Sequence, residues 1–227
     1  MADRLYLNFI ADDRWKYIVD GLAVTLEITF AAVLIGIVLG FLVAIIRSSH
    51  DKTGKLKISN FICNIYLTVI RGTPVVVQLM IVYFIVFYPV KDVNKVLVCI
   101  IAFSINSGAY VAEIVRGGIM SIDEGQFEAG RSLGFNYIQT MRYIIMPQVF
   151  KNVLPALGNE FIVLLKETSV AGYIGMQDLT KGGDIIRSRT YDPFVPLIAI
   201  AIIYLVMVLA FTKLLGIMER RLRNSER

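Results

Sequence analysis

The stretch LAVTLEITFAAVLIGIVLGFLVAII, residues 22–46, decides the fold class of this chain, because it is almost wholly apolar and carries one charged residue, Glu27. A helix needs roughly 20 apolar residues to cross a bilayer core about 30 Å thick, so this stretch is long enough to span a membrane. Small residues recur at every fourth position along one of its faces, at Ala32, Gly36, Gly40 and Ala44. We therefore expect a neighbouring helix to pack closely against that face.

The composition extends this conclusion to the rest of the chain. It is 56% hydrophobic with a mean hydropathy of +0.67 over 227 residues, which is far too apolar for an ordinary soluble domain. Four more stretches are long and apolar enough to span, at residues 61–88, 96–115, 149–165 and 194–215. The sequence thus predicts an all-α membrane protein with five transmembrane helices in a single domain, residues 1–227.

The N-terminal residues 1–20 contain four acidic residues and neither a basic start nor a short apolar core, so we do not expect a signal peptide. Their apolar side chains suit a helix that lies in the membrane interface, and they are Leu5, Phe9, Trp15, Tyr17 and Ile18.

Lysine and arginine are distributed unevenly between the two sides that five spans would create. Thirteen lie in residues 47–59, 116–151 and 213–227, and nine lie in the N-terminal tail, 91–95 and 166–192. Because cytoplasmic loops carry the larger number of basic residues, we expect a multi-pass protein of the cell (inner) membrane with its N-terminus outside and its C-terminus in the cytoplasm. This topology explains the net charge of +5 better than binding to nucleic acid does.

The second apolar stretch is interrupted by the sequence Arg71-Gly72-Thr73-Pro74. Glycine relaxes the backbone, Thr73 can cap a helix, and proline suits the first position of a new one. The pattern favours a broken span whose second half begins within the membrane, with a simple proline kink as the alternative. A broken span is tolerated only where its freed backbone groups are buried in protein or line a cavity.

The segment at residues 121–147 is too polar to span the membrane. Glu128 and Arg131 lie three residues apart, as ion-paired residues on a short helix do, and Gly134 is placed to end that helix. The stretch 137–146 is amphipathic, and Pro147 is expected to open the next helix.

This loop resembles the EAA loop of ATP-binding-cassette (ABC) importer permeases. The matching residues are Glu128-Ala129-Gly130, then Gly134, then Ile144-Ile145-Met146-Pro147. Gly130 departs from the family pattern, which usually has alanine there. The chain is most similar to the polar amino acid permeases, through Arg71-Gly72-Thr73-Pro74 with Gln78-Leu79, Ala109-Tyr110-Val111-Ala112-Glu113-Ile114 with Arg116-Gly117-Gly118-Ile119, and Leu154-Pro155-Ala156-Leu157-Gly158-Asn159-Glu160.

The resemblance implies a type I importer permease fold, with cytoplasmic coupling helices that fit a groove on a separate ATPase. We therefore call residues 121–147 the coupling loop. By motif position, the coupling residues are Glu128, Ala129, Arg131 and Gly134. The chain has no G-x-x-x-x-G-K-[ST] motif for ATP phosphates, so ATP and magnesium would be bound by the partner ATPase dimer. Further partners implied are an extracytoplasmic amino-acid-binding protein and a second permease, either an identical copy or a related chain.

Polar and charged residues inside the predicted spans are candidates for function, because they are costly in lipid. Glu160 is the strongest candidate for contact with a substrate cation, with an internal partner such as Arg71 as the alternative. Thr73 and the amides of the new helix could receive a substrate carboxylate. The predicted substrate-binding residues are Thr73, Asn106, Tyr110, Asn159 and Glu160.

Glu113 and Arg116 are predicted to form a structural or gating pair near the cytoplasmic end, and Arg71 is grouped with them as a charge within a span. Asn106, Tyr110 and Glu113 are spaced to share one helix face, which would line the bundle interior.

Two other function classes compete with a permease. In an ion-gradient-driven carrier or channel, the acids within the membrane would bind protons or sodium ions, and the coupling loop would have no role. An intramembrane enzyme is disfavoured, because the only histidine, His50, lies in a loop, and Cys63 and Cys99 show no spacing typical of metal ligands. The cargo stays open between lysine, arginine or histidine, which Glu160 favours, and glutamine, which Asn159 and Thr73 would serve equally.

Overall fold

The computed structural model describes residues 2–224, and the side chains of residues 2–221. Met1 and residues 225–227 of the predicted domain, including the predicted cytoplasmic C-terminus, lie outside the described residues. No strand occurs between residues 2 and 224, which confirms the prediction of an all-α protein. The frame consists of eight helices, α1 Trp15–Thr53, α2 Lys57–Gly72, α3 Val75–Ile81, α4 Lys95–Met120, α5 Glu124–Ser132, α6 Met146–Glu167, α7 Leu179–Thr190 and α8 Phe194–Asn224.

Three of these helices, α1, α4 and α8, are long and apolar enough to cross a membrane. A fourth crossing results if α2 and α3, with the π-helical turn Val82–Val86 that continues α3, count as one bent span. Helix α6 is long enough, but it carries four charged residues, Lys151, Glu160, Lys166 and Glu167, and does not reach the same apolar standard. The count of five spans therefore stays a prediction.

Helix α6 packs against α4 and α8. Its buried residues Val149, Val153 and Leu157 pack with Val111 and Val115 of α4. On another side, a Cβ atom added at Gly158 would lie 2.2 Å from Cδ1 of Leu215, so α8 approaches the α6 backbone closely. This packing buries one of the four charged residues, Glu160, within the protein, where it finds a polar partner that lipid would not provide.

The most extensive helix–helix contact joins α1 to α4, along the face of small residues predicted from the sequence. Ala32, Gly36, Gly40 and Ala44 are all buried. A Cβ atom at Gly40 would lie 2.6 Å from the Cβ of Val111 and 2.9 Å from the backbone nitrogen of Ala112. Because such distances are shorter than real contacts, only glycine permits the observed approach. The predicted close packing is confirmed.

The break in the second apolar stretch occurs where it was predicted, with a bend of 113° between α2 and the helix that follows. The details differ from the prediction. Pro74 is the N-cap of α3 in an extended conformation, not its first helical residue. The Thr73 hydroxyl does not cap α3, because it donates backwards to the Val69 carbonyl at 2.8 Å.

The N-terminal segment is a series of short turns, not the single interfacial helix that was predicted. Asp12 and Asp13 have positive φ angles of 53° and 54°, which end the helical path before α1 begins. As a result, Trp15, Tyr17 and Ile18 belong to α1.

Asp192, between α7 and α8, binds the N-terminal segment by hydrogen bonds to Arg4 and Asn8. Its carboxylate accepts two hydrogen bonds from Arg4, at 3.0 and 2.6 Å, and a third from Asn8 at 3.0 Å. The Thr190 hydroxyl donates to Asn8 Oδ1 at 2.9 Å. Fork-shaped arginine–carboxylate pairs are among the stronger polar contacts in proteins, so this cluster holds the segment against α7 and α8.

We expect Gly40→Ala to lower the free energy of unfolding by about 1–3 kcal/mol, because the added methyl group meets Val111 and the α4 backbone. Gly117→Ala is the matched control, since a Cβ at Gly117 meets no heavy atom within 4 Å. Thermal unfolding in one detergent, followed by circular dichroism, measures both. Equal melting temperatures for the two variants would contradict the close packing of α1 on α4.

The pKa of Asp192 provides a second test. Hydrogen bonding to Arg4 is the main cause that lowers this pKa from 3.8 to about 2. A lowered folded-state pKa stabilises the fold at pH values above the unfolded-state pKa, and that contribution disappears as pH falls from about 4 to about 2. Asp192→Asn should therefore melt below the wild type at neutral pH, and the difference should shrink below pH 4. A difference in melting temperature that stays constant across that range would show that the Arg4–Asp192 pair does not stabilise the fold.

Candidate functional site

The side chain of Gln78 donates hydrogen bonds to backbone carbonyls at the break between α2 and α3. This residue is buried, and its amide nitrogen lies 2.7 Å from the Ile70 carbonyl and 2.9 Å from the Thr73 carbonyl. It also lies 2.8 Å from the Thr73 hydroxyl oxygen. The two carbonyls are among the acceptors that the end of α2 leaves without intrahelical partners. Gln78 thus replaces the missing backbone hydrogen bonds in the position where lipid could not supply them.

Asn106 on α4 connects this break to the bundle centre. It is 2% exposed, and its amide nitrogen donates to Gln78 Oε1 at 2.9 Å. The other end of the same side chain, Oδ1, is buried without a hydrogen-bond donor in the described part of the chain. A buried acceptor without a donor costs about 1–3 kcal/mol, which marks Asn106 as a place where a ligand donor would be favourable.

Glu160 lies on α6, which packs on another side of α4. It contacts α4 through Ser107, the residue that follows Asn106 in the sequence. Ser107 donates its hydroxyl to Glu160 Oε1 at 2.9 Å, and both side chains are buried. No lysine or arginine among residues 2–221 forms an ion pair with Glu160. Arg71, the internal partner considered from the sequence, lies beside Glu113 instead, at 3.7 Å.

The structure brings together three of the five predicted substrate residues. Thr73 and Asn106 both bind Gln78, and Glu160 binds Ser107, the neighbour of Asn106. Tyr110 and Asn159 are exposed on the surface of the single chain, and they form no hydrogen bond with the other three in the described residues. Their role in substrate binding stays a prediction.

The predicted pair of Glu113 and Arg116 is wrong. Glu113 accepts from Arg47 of α1 at 2.8 Å and lies 3.7 Å from Arg71, whereas Arg116 donates to Asp51 at 3.0 Å. The spacing of three residues suggested a pair within α4. Instead, α1 supplies a partner to each residue, Arg47 to Glu113 and Asp51 to Arg116. A role of these charges in gating stays a prediction.

Helix α5 of the coupling loop is bounded by two defined caps. Asp123 accepts from the Gly125 amide at 2.7 Å at its start. At its end, Gly134 has a φ of +77°, its amide donates to the Arg131 carbonyl at 2.9 Å, and the Phe135 amide donates to the Gly130 carbonyl at 3.0 Å. These two bonds form a Schellman motif, in which a left-handed residue closes the helix.

Gly130, the departure from the family pattern, has a structural reason. A Cβ atom there would lie 2.6 Å from both Cγ2 and Oγ1 of Thr140. Thr140 belongs to the turn Tyr137–Thr140, which begins with a capping box of Asn136 and Gln139. The second half of the loop therefore packs directly on the backbone of α5.

The outer surface of the loop combines charged and apolar groups. The side chains of Glu128 and Arg131 are 71% and 73% exposed and face each other at 3.9 Å. Leu133, Ile138 and Tyr143 of the same loop are strongly exposed, and Ala129 is exposed on the same helix as the charged pair. Exposed apolar groups of this size, rimmed by charges, are typical of a protein-binding surface.

Sequence reasoning missed several residues that the structure places at these sites. Gln78 carried a signal, because a helix break in lipid needs a polar side chain nearby. Arg47 and Lys52 carried no such signal, because basic residues are common at the end of a membrane span. Lys52 pairs with Glu124 at the start of α5 and its ammonium lies 4.7 Å from the centre of the Phe127 ring, so it ties α1 to the coupling loop.

Among the described residues, no group of three or more histidine, cysteine, aspartate or glutamate side chains could hold a metal ion.

Comparison with protein families gives one match that covers most of the chain. Residues 36–224 match the model of the binding-protein-dependent transport system inner membrane component. The described helices from within α1 to the end of α8 fall inside this match.

Individual relatives agree with the family match. The chain is 38% identical over 211 residues to the arginine transport system permease protein ArtQ of Bacillus subtilis, covering 92% of this chain and 94% of the relative. It is 37% identical over 207 residues to a putative glutamine transport system permease protein GlnP of Rickettsia typhi, covering 91% and 93%.

Solved structures show the same fold. One chain from the crystal structure of an amino acid ABC transporter with histidines superposes with a TM-score of 0.83 and 47% identity, covering 91% of this chain and 94% of that one. A chain of the inward-facing MetNI methionine ABC transporter superposes with a TM-score of 0.78 at 18% identity, which is similarity of fold alone.

The Schellman motif at Gly134 can be tested by two substitutions. Gly134→Val places a β-branched residue at a φ of +77° and should destabilise the end of α5 by about 1–2 kcal/mol. Gly134→Asn should be tolerated, since asparagine adopts this conformation more readily. Hydrogen–deuterium exchange over residues 123–140 should accelerate in Gly134→Val only. Equal exchange in both variants would show that the turn does not depend on the left-handed residue.

Proposed function

The chain belongs to the family of binding-protein-dependent transport system inner membrane components, and on that basis we propose that it carries a polar or cationic amino acid delivered by an extracytoplasmic binding protein. It is a multi-pass permease subunit of an ABC importer. In the proposed cycle, a separate ATPase dimer binds ATP and magnesium and docks on the coupling loop. The relatives named for arginine and glutamine transport support a cargo of this class.

The observation that carries the choice of cargo is Glu160, a buried carboxylate with no basic partner in the described residues. A buried charge without an opposite charge is costly, and a cation supplied by the cargo would remove that cost. Asn106, one residue from Ser107 on α4, offers a buried oxygen that can accept from an ammonium or amide group. Glu160 thus favours lysine, arginine or histidine over a neutral cargo, and Asn106 is compatible with either.

The amides at the start of α3, next to Thr73, are the proposed place for the α-carboxylate of the cargo, since the Thr73 hydroxyl already donates to the Val69 carbonyl. The amides at a helix start point along the axis and attract negative charge. Gln78 already uses its amide to bind the carbonyls on the other side of the break, so it separates the α2 acceptors from this position. Tyr110 and Asn159, which are exposed in the single chain, are proposed to reach the cargo only in the assembled transporter.

Docking of the ATPase is proposed to involve the outer surface of the coupling loop, with Leu133, Ile138 and Tyr143 as apolar contacts around Glu128 and Arg131. Lys52 and its contacts with Glu124 and Phe127 support transmission of movement from this loop to α1. Since each chain has one such loop, a transporter with two ATPase subunits would contain two permeases, either identical or related.

The test uses proteoliposomes that contain the permease and its ATPase, with the binding protein outside and ATP inside. Uptake of radiolabelled arginine, lysine, histidine and glutamine is measured with and without ATP. Glu160→Gln should lower uptake of the cationic amino acids by about tenfold to a hundredfold, as expected when a charged hydrogen-bonding partner worth about 1.5–3 kcal/mol is removed. Glu27→Gln, which changes an exposed glutamate of α1, is the matched control.

Uptake of all four amino acids by Glu160→Gln at the wild-type rate would contradict the proposed site. Uptake that persists without ATP and follows an ion gradient would contradict the proposed energy source and favour the carrier alternative.

A further inference from the structure

A cleft of about 530 Å³ opens between α1, α2 and α4, at the end of the bundle that carries the coupling loop. Arg47 of α1, Arg71 of α2 and Arg116 of α4 line it, together with Glu113 of α4. We call it the arginine cleft. Asn64 and Thr68, on the same side of α2 as Arg71, add polar groups to its wall.

Positive charge exceeds negative charge in this cleft. Its walls hold three guanidinium groups and one carboxylate, Glu113, which binds Arg47 closely at 2.8 Å and Arg71 only distantly at 3.7 Å. The partner of Arg116 is Asp51, which does not line the cleft. Even when Asp51 is included, one positive charge remains uncompensated.

The arginines also have donors to spare. The Nε atoms of Arg47 and Arg116 are buried and have no acceptor in the described part of the chain. The Arg71 side chain is 46% exposed, and its distance to Glu113 is too long for a hydrogen bond. A guanidinium offers five N–H groups in a planar fork that matches carboxylate and phosphate oxygens. The cleft therefore has many donors and few acceptors.

From these observations we propose that the arginine cleft binds an oxyanion, a carboxylate or phosphate group, between Arg47, Arg71 and Arg116. The ion pairs alone leave one positive charge in the cleft without a counter-charge, and they leave the exposed Arg71 guanidinium without a hydrogen-bond acceptor in the described part of the chain. An oxyanion in the cleft would supply both.

Two sources can supply such a group. A phospholipid phosphate is favoured by the neighbouring surface of α2, where exposed apolar residues form a continuous stripe suited to acyl chains, at Ile58, Phe61, Ile62, Ile65 and Val69. Basic pockets between membrane helices bind anionic headgroups in this manner. The α-carboxylate of the departing cargo is the other source, and only this second source rests on the proposed function.

The first experiment tests the site without reference to cargo. The purified permease–ATPase complex in neutral detergent is titrated with inorganic phosphate, against chloride at equal ionic strength, and its melting temperature is followed. A ligand that binds the folded state raises the melting temperature in proportion to its affinity. We expect phosphate to stabilise the wild type more than chloride does, and Arg71→Gln to weaken phosphate binding by about tenfold.

Lys55→Gln is the matched control, because Lys55 is an exposed basic residue in the turn between α1 and α2 that does not line the cleft. It should keep the response to phosphate. The proposal is overturned if phosphate acts no more strongly than chloride, or if Arg71→Gln and Lys55→Gln weaken the response equally.

The second experiment separates the two sources. Complexes in nanodiscs of phosphatidylcholine mixed with phosphatidylglycerol are released into native mass spectrometry, and retained lipid is counted. Loss of a retained phosphatidylglycerol in Arg71→Gln, but not in Lys55→Gln, identifies phospholipid. Unchanged lipid retention, with weaker binding of the amino acid but not of its decarboxylated amine, identifies the cargo carboxylate. If Arg71→Gln changes neither, the proposal fails, while Glu160 and the proposed cargo site stand on their own test.

Discussion

The rest of the bundle depends on the close approach of α1 and α4 at Gly36 and Gly40. In lipid, burial of apolar side chains does not by itself drive helices together, so packing of small residues has to hold the pair. The consequence is that α4 has a fixed position at the centre, with α2 and α3 on one side and α6 on another. The candidate site and the cleft lined by Arg47, Arg71 and Arg116 each include residues of α4.

The second constraint is that polar groups in the membrane must find partners within the protein. Gln78 meets this constraint fully, because both ends of its side chain are hydrogen-bonded. Its role is therefore structural. Asn106, Glu160 and the arginine cleft meet it only in part, each keeping an acceptor, a charge or a set of donors without a partner in the described chain. The difference between complete and incomplete pairing separates the residues that hold the fold from those that are candidates for binding.

The features that could be predicted from the sequence are those set by local spacing. The small-residue face of α1, the break before Pro74 and the end of α5 at Gly134 depend on residues close together in the chain, and the structure has them where expected. Pairings between distant helices could not be predicted. Glu113 meets Arg47 across 66 positions of sequence, and nothing in the sequence near either residue specifies that contact. In the same way, helical spacing put Asn106 and Tyr110 on one face but could not tell that one is buried and the other exposed.

Asn106 and Ser107 are consecutive residues, so about 100° of helix rotation separates their side chains. One is bound to the α2–α3 break and the other to α6. A movement of α4 relative to its neighbours would therefore act on both contacts. Helix α4 leads within a few residues into α5, so the helix that carries both contacts is joined directly to the coupling loop. One helix thus connects the outer surface of that loop with the buried polar centre of the bundle.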